Sequence, residues 1–125
     1  MHFVNDAHRF RKIDKMIEKV GVANLFVSSI TVYEIQTKLV KAKVGKAKLN
    51  ALAETLAIFK VVNLSTGAAV AAAKVRAELE NAGDWIGHLD QMLAGHAKHE
   101  KAILVTNNTK HFKLVYGLKI EDWAA

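Results

Sequence analysis

Short runs of consecutive apolar residues, separated by longer stretches with helical periodicity, restrict this chain to an α/β architecture. The runs are Leu25-Phe26-Val27, Val61-Val62-Asn63-Leu64 and Ala102-Ile103-Leu104-Val105. Each is too short for a helix, and the first and third lack the polar alternation of a half-exposed strand, so they read as strands buried on both faces. Between them the apolar spacing changes to three and four. Phe10, Ile13, Ile17 and Val20 mark a helix over roughly residues 7–20 that Gly21 ends. Val32, Ile35 and Leu39 mark a second, capped by Ser29 or Thr31, and Gly45 then sits in a lysine-rich turn. Leu49, Leu52, Leu56 and Phe59 stripe a third. Ser65 caps an alanine-rich fourth that ends at Asn81-Ala82-Gly83, and Leu89, Met92, Leu93 and His96 stripe a fifth. Lys119-Ile120 reads as one more short strand. Strands that alternate with helices predict a parallel sheet covered on both faces, a three-layer α/β/α sandwich.

At 125 residues the chain suits one domain, residues 1–125, large enough to bury a core without staples. It has no cysteine, which excludes disulfides and thiolate metal sites and suits a cytoplasmic protein. No segment has the length and apolarity of a membrane span or a signal peptide. The net charge of +6 is one-sided. Residues 1–60 carry 11 Lys/Arg against 5 Asp/Glu, a balance of +6, and residues 61–125 carry 7 against 7, a balance of zero. Lys38, Lys41, Lys43, Lys46 and Lys48 form the densest stretch. Such a surface concentrates polyanions such as RNA, although a solvated helix hairpin accounts for the same charges.

Open parallel sheets bind ligands at the carboxyl ends of their strands. Thr106-Asn107-Asn108 follows one strand end, and Ser28-Ser29-Ile30-Thr31, then Glu34, follows another. Glu34 reads as a first-turn residue opposite the Val32/Ile35/Leu39 stripe, and Asp90 as a first-turn residue of its own helix. Each alone is equally well read as a solvated acid favoured by the helix dipole. His96 and His99 are close enough on a helix to share an ion. The apolar stripe around His96 favours a core histidine beside a surface one. No glycine-rich phosphate loop or nucleophile elbow is present.

Residues 83–97 read Gly-Asp-Trp-Ile-Gly-His-Leu-Asp-Gln-Met-Leu-Ala-Gly-His-Ala. Residues 103–112 read Ile-Leu-Val-Thr-Asn-Asn-Thr-Lys-His-Phe, and residues 117–123 read Gly-Leu-Lys-Ile-Glu-Asp-Trp. In order and spacing this resembles the second half of a PIN domain of the VapC toxin type. Residues 27–35, Val-Ser-Ser-Ile-Thr-Val-Tyr-Glu-Ile, resemble that family's serine-rich strand end and acid-bearing helix. The resemblance implies an endoribonuclease of a toxin–antitoxin system, dependent on Mg²⁺ or Mn²⁺, which cuts single-stranded RNA and is held in check by a cognate antitoxin. It also implies a homodimer. Carried over residue by residue, Glu34 and Asp90 are metal-binding catalytic acids. Asn108 takes the fourth catalytic position, where some members carry an acid, and Thr106 supports it. Lys38, Lys41 and Lys43 would track the RNA backbone. Glu34 and Asp90 should then meet at one sheet edge.

Two departures stand out. The family opens with a hydrophobic strand ending in Asp-Thr-Asn, whereas His2-Phe3-Val4-Asn5-Asp6 resembles the end of the family's first helix. The chain is therefore expected to lack the first strand and the first catalytic Asp. Its neighbours would close up and pair directly, and cleavage would be weak or lost, which would leave a PIN-like protein that binds antitoxin or RNA without cutting. The rival reading makes Phe3-Val4 a shortened first strand and Asp6 the missing acid. The second departure is Asp84-Trp85, in place of the family's basic or polar residue and proline. It reads as a surface turn with a partly buried tryptophan.

Overall fold

The computed structural model describes residues 1–5, 13–43 and 45–124. Phe10 and Asp6 lie outside the described residues, as do the side chains of Leu49, Leu52 and Leu56. The elements are β1 (His2–Val4), α1 (Ile13–Val20), β2 (Leu25–Ser28), α2 (Ser29–Ala42), α3 (Lys46–Ala57), β3 (Lys60–Val62), α4 (Thr66–Asn81), α5 (His88–His99), β4 (Ile103–Val105), α6 (Thr109–Phe112) and β5 (Ile120–Glu121). The strands form one sheet in the order β3-β2-β1-β4-β5, and every pairing is parallel.

The expected gap in the middle of the sheet does not exist. β2 and β4 do not close on each other, because β1 lies between them and pairs with both. Phe3 stands opposite Phe26 on one side and Leu104 on the other. The ladder extends at both ends of β1: the Ile103 N–H donates to the Met1 carbonyl at 2.9 Å, and the Asn5 N–H donates to Val105 at 2.8 Å. Three residues suffice because a central strand is hydrogen-bonded on both edges and buried on both faces, which outweighs the weak strand propensity of His2 and Asn5.

Alternation along the strands divides the core into two layers. Phe3 and Leu104 face α4 and α5, where Val75, Leu79, Leu93, Ala94 and Ala97 close over them with Ile86 and Phe112. Val4, Val105, Leu25 and Val27 face the other way, onto Phe59 and Trp123, with Ile13, Met16, Ile17 and Val20 of α1 packed outside. Trp123 is held by a hydrogen bond from its Nε1 to Glu121 at 3.0 Å. On the first layer α4 and α5 touch backbone to backbone: a Cβ at Gly95 would collide with the main chain of Ala72. The small residues after Asp90 thus serve a helix–helix crossing as well as the approach of α5 to the sheet.

The cap of α2 is Ser28, one residue earlier than the sequence suggests, and its Oγ accepts from the Ile30 N–H at 3.1 Å. Ser29 instead uses its Oγ to accept from the Leu64 N–H at 3.0 Å, which ties the start of α2 to the end of β3. Ser65 caps α4 as expected, accepting from Ala68.

Candidate active site

Because the sheet is parallel, β1, β2 and β4 end on the same edge, and the polar residues that follow them converge there. At the end of β1, Asn5 is almost completely buried, and its Oδ1 accepts from the Thr31 hydroxyl at 3.5 Å. Thr31 belongs to α2 and is itself buried. Glu34 lies three residues on, which places it beside Thr31 on the same side of the helix. Glu34 is therefore in the second turn of α2 and half-buried, next to the packed side that carries Ile35, rather than opposite it in the first turn.

At the end of β4, Thr106 is fully buried and its Oγ1 accepts from the Asn108 N–H at 3.1 Å. This folds the chain back so that the Asn108 side chain points at α5. Its Nδ2 donates to Asp90 Oδ2 at 3.5 Å and lies 3.1 Å from His111 Nδ1. The same Asp90 oxygen is 3.8 Å from His111 Nδ1. Asp90 occupies the first turn of α5, where the helix dipole favours a carboxylate. The structure thus joins Asp90, Asn108 and Thr106 in one hydrogen-bonded group. Glu34 stands on the α2 side of the same edge, with the end of β1 between the two. α2 and α5 are in contact.

Sequence reasoning missed His111 and Asn5. The usable signal for His111 was its spacing, three residues after Asn108 at the start of a helical turn. Asn5 gave none, since the segment around it read as a helix end. Lys38, Lys41 and Lys43 are all exposed. Lys38 is one turn beyond Glu34, and Lys41 and Lys43 are roughly 10 and 14 Å from it along the helix axis at about 1.5 Å per residue. They lie along a path away from the edge and not at it.

Behind the edge, Ser28 Oγ is 2.7 Å from Nδ1 of His96, which has no solvent exposure. The His96 ring packs edge-on against Phe3 at 4.9 Å. Burial holds its pKa below the usual imidazole value. Glu100, 3.9 Å from Nε2, opposes that shift, His99 adds to it, and the Asn63 backbone opposes it weakly. The Ser28 hydroxyl accepts from the Ile30 N–H and donates a hydrogen bond to Nδ1 of the neutral His96 ring. His96 so pins the start of α2 to the last turn of α5. His99 lies outside this contact, with its ring against Gly67.

The PIN domain family profile matches residues 1–118. The chain belongs to the PIN domain family. Its relatives are VapC ribonucleases. It is 36% identical over 98 residues to the tRNA(fMet)-specific endonuclease VapC of Shigella flexneri, covering 78% of this chain and 74% of that protein. It is 35% identical over 97 residues to ribonuclease VapC2 of Rickettsia felis, covering 78% and 72%. In structure it is similar to the DNA-bound VapBC of Salmonella typhimurium, with a TM-score of 0.87 at 28% identity over 98% of both chains. It is also similar to Rickettsia felis VapBC2 bound to a promoter DNA fragment, with a TM-score of 0.83 at 28% identity over 98% and 99%. The family placement and the α/β sandwich read from the sequence both hold. The sheet has five strands among the described residues, including the one expected to be absent.

Proposed function

We propose that this PIN protein is the toxin of a toxin–antitoxin pair: a divalent-metal-dependent endoribonuclease that cuts single-stranded RNA in the cytoplasm. The carrying observation is the Asp90–Asn108–His111 group at the carboxyl edge, with Glu34 on α2, the helix that starts from that same edge. Among the described residues no three of His, Cys, Asp and Glu converge as a metal cluster. That donor set still fits Mg²⁺ or Mn²⁺, which are satisfied by one or two carboxylates, substrate phosphate and water. Asp90 and Glu34 would hold the ion, and Asn108 would add an amide oxygen or orient Asp90. Asp6, the residue after Asn5 in the chain, lies outside the described residues; in this reading it is the first acid, and β1 removes the ground for expecting an inert protein. A bound ion would make its water more acidic and offset charge on the attacked phosphate. His111, within reach of Asp90, is the protein group available to hold or pass a proton at that carboxylate.

The names of the relatives support RNA as substrate, and two of them specify a tRNA. The VapBC complexes among the structural neighbours support a cognate antitoxin. No described helix is long and apolar enough to cross a membrane. An apolar depression of about 260 Å³ between α2, the end of β3 and α5, lined by Ile30, Tyr33, Leu64, Leu89 and Met92, supports a homodimer through this face. Light scattering on the pure chain tests the dimer. Incubation of the full chain with single-stranded RNA tests the enzyme: cleavage should require Mg²⁺ or Mn²⁺, stop with a chelator, and be lost in Asp90→Asn. Metal-independent cleavage, or cleavage unchanged by that substitution, would sink the reading.

A further inference from the structure

We infer that Trp85 is a base-stacking platform that holds one nucleotide of the RNA a few nucleotides from the cut, an inference that rests on the nuclease reading above. Trp85 is 58% exposed, whereas the sequence suggested partial burial, and Trp123 is 5% exposed. Its exposure is built. The next residue, Ile86, is buried in the α4/α5 core layer and anchors the segment. The Asp84 N–H donates to the Leu79 carbonyl at 2.9 Å and ties the loop back to the end of α4. Gly83 and Gly87 bracket the segment at φ 76° and 97°, turns that a side chain would oppose. The indole is also braced: the His88 ring meets it edge-on, 4.8 Å between centroids and 88° between planes. One ring face of Trp85 is thereby steadied while its surface stays open to solvent. A large, rigid, outward-facing indole three residues before the helix that carries Asp90 is the part single-strand binders use, because every base offers a π-face.

Position favours RNA over a protein contact. Trp85 and His88 lie at the start of α5, the helix whose first turn carries Asp90. His88 and Asp90 are two residues apart, so they project from nearly opposite sides of that turn. The separation is about one helix diameter, roughly 10–12 Å, the length of about three stacked nucleotides. On the Trp85 side His88 and Arg76 border a groove of about 240 Å³ floored by Ala69, Ala72, Ala73 and Met92. A strand leaving Asp90 can therefore place a base on Trp85 and its backbone along that groove, beside Arg76, whose guanidinium is paired with Glu80 at 2.9 Å.

The test is a fluorescence titration of the full chain with oligoadenylate and oligouridylate in EDTA, where binding is read without cutting, followed by cleavage kinetics in Mn²⁺. Trp123 is buried, so quenching on addition of RNA reports Trp85. The expected result is quenching, stronger with the purine oligomer, and binding weakened about tenfold in Trp85→Ala but largely kept in Trp85→Phe. In kinetics, Trp85→Ala should raise KM with kcat little changed. Because Trp85 is exposed, the variant should melt like the parent, which separates a lost contact from a misfolded chain. Cleavage by the parent with no quenching, or identical binding by Trp85→Ala, overturns the platform and leaves the nuclease reading standing. Quenching and Trp85-dependent binding without any cleavage support the platform and count against the nuclease.

Discussion

Helix α5 belongs to two regions of opposite construction. Along its length, Leu93, Ala94 and Ala97 are sealed against the sheet, and Gly95 allows α4 to approach until the two backbones touch. In its first turn, Asp90 meets Asn108 at 3.5 Å and His111 at 3.8 Å, contacts at or beyond the long end of hydrogen-bond range. The seam is packed to contact and has no slack. The edge is polar, partly open and loosely joined. Edges of that kind tighten when substrate or a cation arrives, and they contribute little to stability while empty. In the proposed reading the same helix carries stability in one part and chemistry in another, and substitutions should separate the two.

The largest effect expected is Asp90→Asn. It keeps the shape and removes the charge, so a divalent ion loses a carboxylate ligand. A loss of several kcal/mol of transition-state stabilisation corresponds to roughly a hundredfold or more in cleavage rate. The melting temperature without metal should stay within a degree or two, since the contacts replaced are long. A variant that melted far below the parent would show the edge to be part of the structural core and would erase the contrast.

Gly95→Ala is the reverse case. The added methyl has no space, and the neighbour that must yield is the main chain of Ala72 rather than a flexible side chain. Overpacking of this kind costs about 1–3 kcal/mol, or roughly 4–12 °C in melting temperature. Thermal denaturation measures it. Cleavage per folded molecule should remain near that of the parent at temperatures where the variant is folded. Unchanged melting would mean that the two helices can separate freely.

These two regions were not equally legible. Leu25–Val27 and Ile103–Val105 announce themselves, because strands buried on both faces must be continuously apolar. β1 did not, since two apolar residues between His2 and Asn5 carry little propensity; its stability comes from two partner strands that are distant in sequence. Glu34 and Asn108 stood out only as residues that follow strand ends and Asp90 only as a helix-start acid; their roles came from the resemblance. Asp90 and Asn108 are 18 residues apart, and only the loop turned by Thr106 brings them together. His111 and Asn5 stayed hidden for the same reason: their roles depend on which strand ends are neighbours. Ser28 was passed over as a cap because two other hydroxyls follow it, and its second contact, to His96, is 68 residues away.

His96 joins the two regions and should make them respond together to pH. Burial lowers its pKa, so the folded state holds the neutral ring while the unfolded chain takes up a proton near pH 6.5. Its contribution is complete above that pH and is lost as pH falls below it toward the lowered folded-state value. Glu100 and His99 face the same ring with opposing influence. The parent should therefore lose melting temperature as pH falls through and below about pH 6.5, and His96→Gln should lose less over the same interval. Equal slopes in both proteins would remove His96 from the link.

The smallest effect, and the one that bears most directly on the edge, is Asn108→Asp. Asn108 Nδ2 now donates to Asp90; a carboxylate there would set two like charges about 3.5 Å apart. At a partly open edge that repulsion works against the variant, and it raises the pKa of one of the pair. In a chelator the variant should melt slightly lower than the parent, and the deficit should shrink as pH falls and one acid takes up a proton. Mn²⁺ should reverse the order, because a cation converts repulsion into ligation, and stabilisation grows with the logarithm of metal concentration over its dissociation constant. The decisive measurement is the Mn²⁺-induced rise in melting temperature, which should be larger in Asn108→Asp than in the parent and absent when Asp90→Asn is added. An equal rise in all three would place the ion elsewhere, and the edge would then be only a loosely packed rim on the well-packed helix behind it.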